Sequence, residues 1–283
     1  MSFVGKTDSR AGDRTGPDFW DQWWQRTPLP PTIDPYRSGL KNYPLRSFHR
    51  YFAEVLGTNS AGQQRLIEIG CAQSVFLPYF ARYLAFQVAG IDQSELGCER
   101  ARRILEREGV QGEIYCADLF DPPAGVLGRF EVAISFGVVE HFDDAIKPIS
   151  AIAALLKPGG KMVTLIPNLT GVLGRYQRLL DRRLYEAHVV MGRDRLAEAH
   201  RQAGLQVESA GYLMPVSLEV LNVEGWRSRA LRKMVSRAHT AASRLAWMID
   251  DYLFGLKPNR WTSPYVVSVA RRPAMEGRGF RAP

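Results

Sequence analysis

Several patterns that mark particular protein classes are missing from this chain of 283 residues. Its three cysteines cannot all pair and lack metal-ligand spacing, so they predict reduced thiols in a cytoplasmic protein without a metal. No apolar run is long enough to cross a bilayer. The polar residues 1–17 predict a mobile tail rather than a signal peptide. The missing Gly-x-Gly-x-x-Gly disfavours a dinucleotide oxidoreductase.

The most informative segment that is present runs from Leu66 to Ser74. It predicts a buried strand that ends in Glu68-Ile69-Gly70, followed by a turn and a helix over roughly residues 75–84. Gly70 permits a sharp turn and lets a ligand approach the backbone closely. The free N–H groups of the helix would point toward that turn, which is the general form of a nucleotide-type cofactor site.

Two further predicted strands also end in acids. Asp92, followed by Gln93, ends the second strand, and its carboxylate suits the two hydroxyls of a ribose. Asp118 ends the third strand, where it could accept from the amine of an adenine with Leu119 and Phe120 against the ring. The sequence therefore predicts a nucleoside-binding edge made by successive strands.

A fourth strand, residues 130–136, leads into Ser135-Phe136-Gly137-Val138-Val139-Glu140-His141-Phe142, and Leu156-Lys157-Pro158-Gly159-Gly160 precedes a fifth. In order and spacing these motifs resemble the class I S-adenosylmethionine-dependent methyltransferases, small-molecule branch. The resemblance implies that S-adenosylmethionine is bound, that S-adenosylhomocysteine is released and that no metal is needed. It assigns the cofactor to Glu68, Gly70, Ala72, Ser74, Asp92, Gln93, Asp118, Leu119, Phe120 and Phe136. Ala72 and Ser74 stand where the family has further glycines.

The resemblance also implies the fold. We expect an α/β, Rossmann-like, doubly wound sheet of seven strands, with residues 204–210 as the sixth strand and residues 265–271 as an antiparallel last strand. Residues 61–283 would form a single domain preceded by an aromatic lid at residues 18–60. Helical insertions at about residues 168–203 and 212–262 would cover the substrate side.

Aromatic side chains are concentrated before the first strand. Trp20 and Trp24 lie one helical turn apart, and Tyr36 and Tyr43 follow a proline-rich link. Because a sulfonium is a soft cation that favours an aromatic face, these residues are candidates for a lid over the cofactor or acceptor. The alternative is that they simply anchor the N-terminal segment to the core.

A hydroxyl acceptor must lose a proton during methylation, so a base is needed. His188, in the first insertion, and His141, after the fourth strand, are the main candidates, and His49 is a third. Glu140 is expected beside His141 on the substrate side. For each histidine a purely structural role is the alternative.

Positive charge is concentrated in the second part of the chain. Residues 175–283 contain 19 basic and 10 acidic side chains, which leaves an excess of nine positive charges and suggests an anionic acceptor. No acid occurs between Glu224 and Asp250, where Leu231, Met234 and Leu245 recur at helical spacing. We favour a helix that packs this apolar stripe on the domain. The alternative for residues 226–254 is a helix that lies on an anionic membrane or holds a partner.

These observations predict methyl transfer from S-adenosylmethionine to a small molecule, most simply to a hydroxyl of an anionic or sugar-type metabolite. N-methylation and carboxyl methylation remain alternatives. A methyltransferase-like binding protein without activity is a further one, motivated by Ala72 and Ser74. The basic second part suggests a nucleic-acid methyltransferase, but no Asn-Pro-Pro-Tyr-like motif or RNA-binding module supports it. The oligomeric state is not predicted.

Overall fold

A computed structural model describes residues 12–57, 59, 62–223, 226 and 228–274. Most of the predicted tail, residues 1–11, lies outside the described residues. The structure differs from the prediction for the next residues, because Gly12 to Arg14 pair with the segment after the fourth strand. Residues 12–16 therefore have a defined structure, although they lie inside the predicted tail.

The described residues form one sheet of seven strands in the order β3-β2-β1-β4-β5-β7-β6. The strands are β1 (Arg65–Ile69), β2 (Gln87–Asp92), β3 (Gly112–Cys116), β4 (Phe130–Phe136), β5 (Leu156–Pro167), β6 (Gln206–Leu213) and β7 (Tyr265–Arg271). Strands β1 to β5 are parallel, and β7 runs antiparallel to both β5 and β6. The predicted fold class is confirmed.

Nine α-helices occur in the described part of the chain. They are α1 (Gly16–Arg26), α2 (Tyr43–Leu56), α3 (Phe76–Leu84), α4 (Glu95–Arg107), α5 (Ile146–Leu155), α6 (Val172–Leu180), α7 (Arg182–Glu186), α8 (Arg193–Gln202) and α9 (Arg229–Ile249). A π-helical turn, Asp250–Phe254, extends α9. One face of the sheet packs on α2, α3 and α4, and the other packs on α5 and α8.

Alternating side chains of the strands supply these two cores. In β1, Leu66 packs with the α2–α4 side, whereas Ile67 and Ile69 pack with the α5–α8 side. A strand that buries both faces needs a nearly continuous apolar sequence, which is why this segment could be predicted. Between β4 and β5 the register shifts, because Phe130 pairs with Leu156 whereas Val132 pairs with Lys161. The Pro158-Gly159 pair lies in this irregularity.

The chain passes from β1 to β2 and β3 on one side and then returns to β4 on the other side of β1. Strand order therefore reverses between β1 and β4, and a crevice opens at the carboxyl ends of these strands. Ligands of open α/β sheets bind at such a switch point. The acids predicted at strand ends are brought to this edge.

The first predicted insertion divides into two parts. Helix α8 packs on β6 and β7 and buries Leu196 and His200, so it belongs to the regular layer of the fold. Helices α6 and α7 are the additional elements. The hydrophobic cluster of α6 also includes Leu221, Val223 and Val235 from the second insertion.

The prediction that α9 packs its apolar stripe on the domain is wrong. The side chains of α9 that are buried are His239, Ser243 and Trp247, which lie four residues apart along one side. Met234 and Leu245 of the predicted stripe are 61% and 56% exposed. The reason is that α9 is held to the domain through its other face. There Trp247 stacks on Tyr43 with ring centroids 5.3 Å apart.

Among the described residues, no helix combines the length and the apolar character needed to cross a membrane.

Candidate active site

A cavity of about 270 Å³ opens at the carboxyl ends of β1, β2 and β4, beneath α1. Many of the residues predicted for cofactor, lid and base line it together: Trp20, Trp24, Gly70, Asp92, Gln93, Asp118, Leu119, Phe120, Phe136 and His141. They come from five separate segments of the chain, so the fold assembles them into one site.

Gly70 is required at the end of β1 for two reasons. Its φ of 72° lies in the left-handed region, which favours glycine. A β-carbon added here would also lie 2.7 Å from Cγ2 of Val138, which is closer than packed atoms approach. Gly70 also lines the cavity, so its backbone is open to a ligand there.

Asp92 ends β2 and is held by the backbone. Its Oδ2 accepts from the Ala72 N–H at 3.0 Å, and its Oδ1 accepts from the Ser94 N–H at 2.8 Å. Burial raises the pKa of Asp92, and the two backbone hydrogen bonds oppose that rise. Each oxygen retains a lone pair, so the fixed carboxylate can accept two ligand hydroxyls.

Glu68 and Ser74 do not line the cavity, but they join two of the elements that surround it. The Ser74 hydroxyl donates to Oε2 of Glu68 at 2.6 Å and accepts from the Phe76 N–H at the start of α3 at 3.0 Å. Burial raises the pKa of Glu68 to about 8, although the Ser74 hydrogen bond lowers it. The serine that replaces a family glycine thus links β1 to α3.

Ala72, the other departure, is also accommodated. Its methyl group lies opposite Gly97 of α4, where a second β-carbon would approach to 2.6 Å. The alanine therefore fits because α4 has a glycine at the contact. Ala72 contributes its backbone N–H to Asp92 and does not line the cavity.

The predicted adenine side is built from a turn and aromatic rings. Oδ1 of Asp118 accepts from the Phe120 N–H at 2.9 Å, which fixes the turn after β3. Phe120 meets Phe142 edge to face at 5.6 Å. Phe136 stacks on Phe76 with ring centroids 4.6 Å apart. These contacts leave a cleft whose walls are apolar and whose rim carries carboxylates.

Helix α1 covers the cavity with two stacked tryptophans. The rings of Trp20 and Trp24 are 5.9 Å apart and nearly parallel. The Trp20 indole donates to Thr15 Oγ1 at 3.2 Å, whereas the buried Trp24 N–H has no partner within the described residues. A hydrogen bond from Ser94 to Asp21 holds α1 to α4.

The two histidines predicted from distant segments meet beside this cavity. The rings of His141 and His188 are 4.6 Å apart, and Trp20 packs edge-on against His141 at 5.3 Å. Nδ1 of His141 lies 3.1 Å from the Ala187 carbonyl oxygen, and Nδ1 of His188 lies 2.7 Å from that of Leu184. A carbonyl only accepts, so each Nδ1 carries the proton and each Nε2 has a free lone pair in the neutral ring.

Glu140 completes what we call the histidine cluster, Glu140, His141 and His188. One ligand atom from each lies within 4.8 Å of the others. Glu140 is 2% exposed, and neither of its carboxylate oxygens has a hydrogen-bond partner in the part of the chain that is described. The cluster can therefore move a proton, and its donor set is also one that a small divalent cation accepts.

Burial sets the protonation of the cluster. It lowers the pKa of His141 to about 4, with the neighbouring His188 adding to the effect, and it also lowers the pKa of His188. It raises the pKa of Glu140 to about 8. At neutral pH both imidazoles are therefore neutral, and the glutamate is mostly protonated.

Three predicted site residues lie elsewhere. Tyr43 is buried against Trp247 and donates to Asp250, and Tyr36 is exposed next to Tyr83 and His49. Nδ1 of His49 lies 2.9 Å from the Tyr79 hydroxyl, on the side of α2 and α3. The structure therefore does not bring Tyr36, Tyr43 or His49 to the cavity.

Sequence reasoning missed the segment before α1. Asp13, Thr15 and Gly16 line the cavity, and Asp13 accepts from the Thr15 N–H at 2.9 Å. Arg14 donates to the carbonyls of Glu186 and His188, both at 3.0 Å, and so ties this segment to the one that carries His188. A short polar segment has no periodicity, so only its Asp-x-Thr turn pattern could have pointed to local order.

Known proteins are similar to this chain in sequence and in fold. Residues 36–210 match the family model described as a methyltransferase domain. The chain belongs to this methyltransferase family. The ubiquinone biosynthesis O-methyltransferase of Ruegeria pomeroyi is 30% identical to this chain over 212 residues, which are 71% of this chain and 83% of the relative. The protein of the same name from Nitrobacter winogradskyi is 28% identical over 160 residues, 56% of this chain and 59% of the relative.

The chain spans 55% to 59% of the lengths of three such curated relatives. Among solved structures, the [4+2]-cyclase SpnF has a TM-score of 0.58 at 19% identity, with 91% of this chain and 96% of SpnF covered. The geranyl diphosphate C-methyltransferase of Streptomyces coelicolor has a TM-score of 0.57 at 15% identity, with 89% and 96% covered. These likenesses establish the fold alone, since proteins of one fold host different chemistries.

Proposed function

We propose that this protein transfers the methyl group of S-adenosylmethionine to a hydroxyl of a small aromatic molecule, with His141 as the base. The observation that carries the proposal is that His141 lines the cavity while its Nδ1 is engaged by the Ala187 carbonyl. This engagement leaves Nε2 with the lone pair that a base needs. N-methylation and carboxyl methylation are the competing reactions.

The residues present fit S-adenosylmethionine. Asp92 has a fixed carboxylate for two ribose hydroxyls, and Gly70 lies exposed in the lining of the cavity. The Trp24 N–H, which has no partner among the described residues, is a donor for a bound molecule. Bound S-adenosylmethionine would supply an electrophilic methyl group on a sulfonium. The solved geranyl diphosphate C-methyltransferase was crystallised with S-adenosylhomocysteine, which supports the same cofactor here.

The lining of the cavity supports a neutral, flat acceptor. The rings of Trp20, Trp24 and Phe120 line it. The described lining residues also include Asp13, Asp92 and Asp118 but neither lysine nor arginine. The basic excess that suggested an anionic acceptor therefore lies away from the cavity. The relatives named O-methyltransferases support an oxygen acceptor.

We propose the following roles for the chain's own groups. The helix α1 and its tryptophans would exclude water and align the acceptor, which supplies much of the acceleration of such a transfer. Nε2 of His141 would take the proton of the acceptor hydroxyl as its oxygen bonds to the methyl carbon. The neutral His188 would then share that charge, because a ring nitrogen of His188 lies within 4.8 Å of one of His141.

Methyl transfer from labelled S-adenosylmethionine to a panel of hydroxylated aromatic compounds tests the proposal. His141→Gln should lower turnover by roughly 10²–10⁴-fold and leave cofactor affinity unchanged, because it removes only the base. His188→Gln should cost less, since His188 does not line the cavity. His49→Gln is the matched control and should be as active as the parent, because His49 lies on the side of α2 and α3.

Two results would contradict the proposal. Cofactor binding without transfer to any acceptor would indicate a binding protein. Loss of activity in EDTA that magnesium restores would mean that the histidine cluster holds a cation rather than a proton. With His141 as the base, EDTA leaves the rate unchanged.

A further inference from the structure

Helix α9 lies outside the residues that match the methyltransferase family, and its packing is unusual. It is 21 residues long, yet the described side chains that it buries are only His239, Ser243 and Trp247. The bonds on this side are polar: Nε2 of His239 is 3.1 Å from the Tyr176 hydroxyl, and Ser243 accepts from the Leu218 N–H at 2.8 Å. The helix is therefore attached to the domain by a narrow and partly polar side.

The opposite side of α9 is apolar and exposed. We call it the outer stripe: Leu231, Met234, Ala238, Ala241, Leu245 and Met248 of α9, continued by Tyr252 of the π-helical turn. These residues follow one another in alternating steps of three and four, which places them on one face of a helix. Apolar side chains that are exposed singly are common on protein surfaces, whereas a continuous row of them marks an interaction surface.

Positive charge accompanies the outer stripe. Arg229, Lys233 and Arg237 are exposed along one edge of the same helix. No acid occurs between Glu224 and Asp250 to neutralise them within the segment. The first acids that follow are engaged, since Asp250 accepts from Tyr43 and Asp251 pairs with Arg46.

We propose that the outer stripe of α9 docks on the surface of a bilayer that contains anionic phospholipids. Leucine, methionine and tyrosine would enter the boundary between headgroups and acyl chains while the cations contact phosphates. The helix would lie on the bilayer and not cross it, because no described helix is long and apolar enough to span. This inference does not depend on the reaction that the cavity supports.

Charge complementarity favours this occupant over a second copy of the chain. A second copy would add the cations of its own α9 to the interface, and α9 contains no acid that could compensate them. An anionic surface meets the same edge with opposite charge. It also accepts an apolar stripe without any matching shape.

Flotation of the full-length protein with phosphatidylcholine vesicles, with and without phosphatidylglycerol, tests the proposal. The parent should bind the anionic vesicles and bind pure phosphatidylcholine much less. Lys233→Ala and Arg237→Ala should each weaken binding about fivefold. Leu245→Glu should weaken it at least about tenfold, because a leucine that would enter the bilayer is replaced by a charge.

Matched controls separate the helix from general effects. Lys147→Ala on α5 removes one exposed cation from the other face of the sheet, and Leu127→Glu changes a leucine that is 50% exposed between β3 and β4. Both should bind vesicles like the parent, and all variants should unfold at the parent's temperature. Absent binding, or equal binding by Leu245→Glu, would overturn the proposal. A dimer in sedimentation that Leu245→Glu converts to monomers would assign the stripe to a second copy instead.

Discussion

The two sides of the cavity differ in how their polar groups are satisfied. On the side of the strand ends, Asp92 accepts from two backbone N–H groups and Glu68 accepts from Ser74. On the side of the histidine cluster, Glu140 is equally buried and has no partner among the described residues. Fully bonded groups hold a fixed shape for binding, whereas an unbonded buried carboxyl remains available for chemistry.

The largest effect is expected for a substitution on the strand-end side of the cavity. Asp92→Asn keeps the shape of the side chain but removes the charge that would accept two ribose hydroxyls. We expect the Kd for S-adenosylmethionine to rise roughly 5- to 150-fold, equivalent to about 1–3 kcal/mol. Isothermal titration calorimetry measures it, with the exposed Asp194→Asn on α8 as the control. An unchanged Kd would remove Asp92 from the cofactor site.

The unbonded state of Glu140, on the side of the histidine cluster, can be tested by the pH dependence of stability. Burial raises the pKa of Glu140 from its ordinary 4.5 to about 8, so the unfolded chain releases this proton first. The folded state therefore loses relative stability as pH rises from about 4.5 to about 8. Glu140→Gln cannot ionise and should raise the free energy of unfolding at pH 8 on the order of 1–3 kcal/mol, with a smaller gain toward pH 5.

Thermal unfolding across this pH range checks the prediction. Glu106→Gln makes the same chemical change at an exposed position of α4 and should leave the profile unchanged. If Glu140→Gln is instead less stable than the parent at pH 8, the carboxylate is charged and paired with an imidazolium. The contrast between the two sides of the cavity would then disappear.

The smallest effect concerns the stacked tryptophans of α1, of which one is bonded and one is not. Trp24→Phe removes an N–H that has no partner among the residues that the structure describes, so we expect almost unchanged thermal stability but a Kd for the cofactor roughly 2- to 10-fold higher. Trp20→Phe breaks the bond to Thr15 and should cost about 0.5–1.5 kcal/mol of stability. Equal cofactor affinity in Trp24→Phe and the parent would leave Trp24 as a packing residue.

The strand-end side was open to prediction because its signal is local. A strand that is buried on both faces needs a run such as Leu66-Ile67, and a tight turn at its end needs a residue such as Gly70. Parallel strands then bring their carboxyl ends to one edge. Asp92 and Asp118 could therefore be assigned to a common site from their positions alone.

The cluster side needed long-range contacts that no local pattern shows. His188 lies beside His141 because Arg14 binds the carbonyls of Glu186 and His188 and because the Val189 N–H donates to the Glu140 carbonyl at 2.6 Å. These contacts join segments far apart in the chain. The same holds for Tyr43, a plausible lid residue in sequence, which packs on Trp247 instead.

The sequence by itself determined the sheet, the acids at the ends of its strands and the family. Hydrophobic periodicity and turn chemistry are properties of neighbouring residues, so they can be recognised without the fold. Only the tertiary structure decided that Glu140 has no partner within the described part of the chain, since that depends on every segment that packs around it. The tertiary structure alone also decided which face of α9 packs on the domain. Periodicity marks an apolar stripe, but Trp247 stacked on Tyr43 turned that stripe toward the solvent.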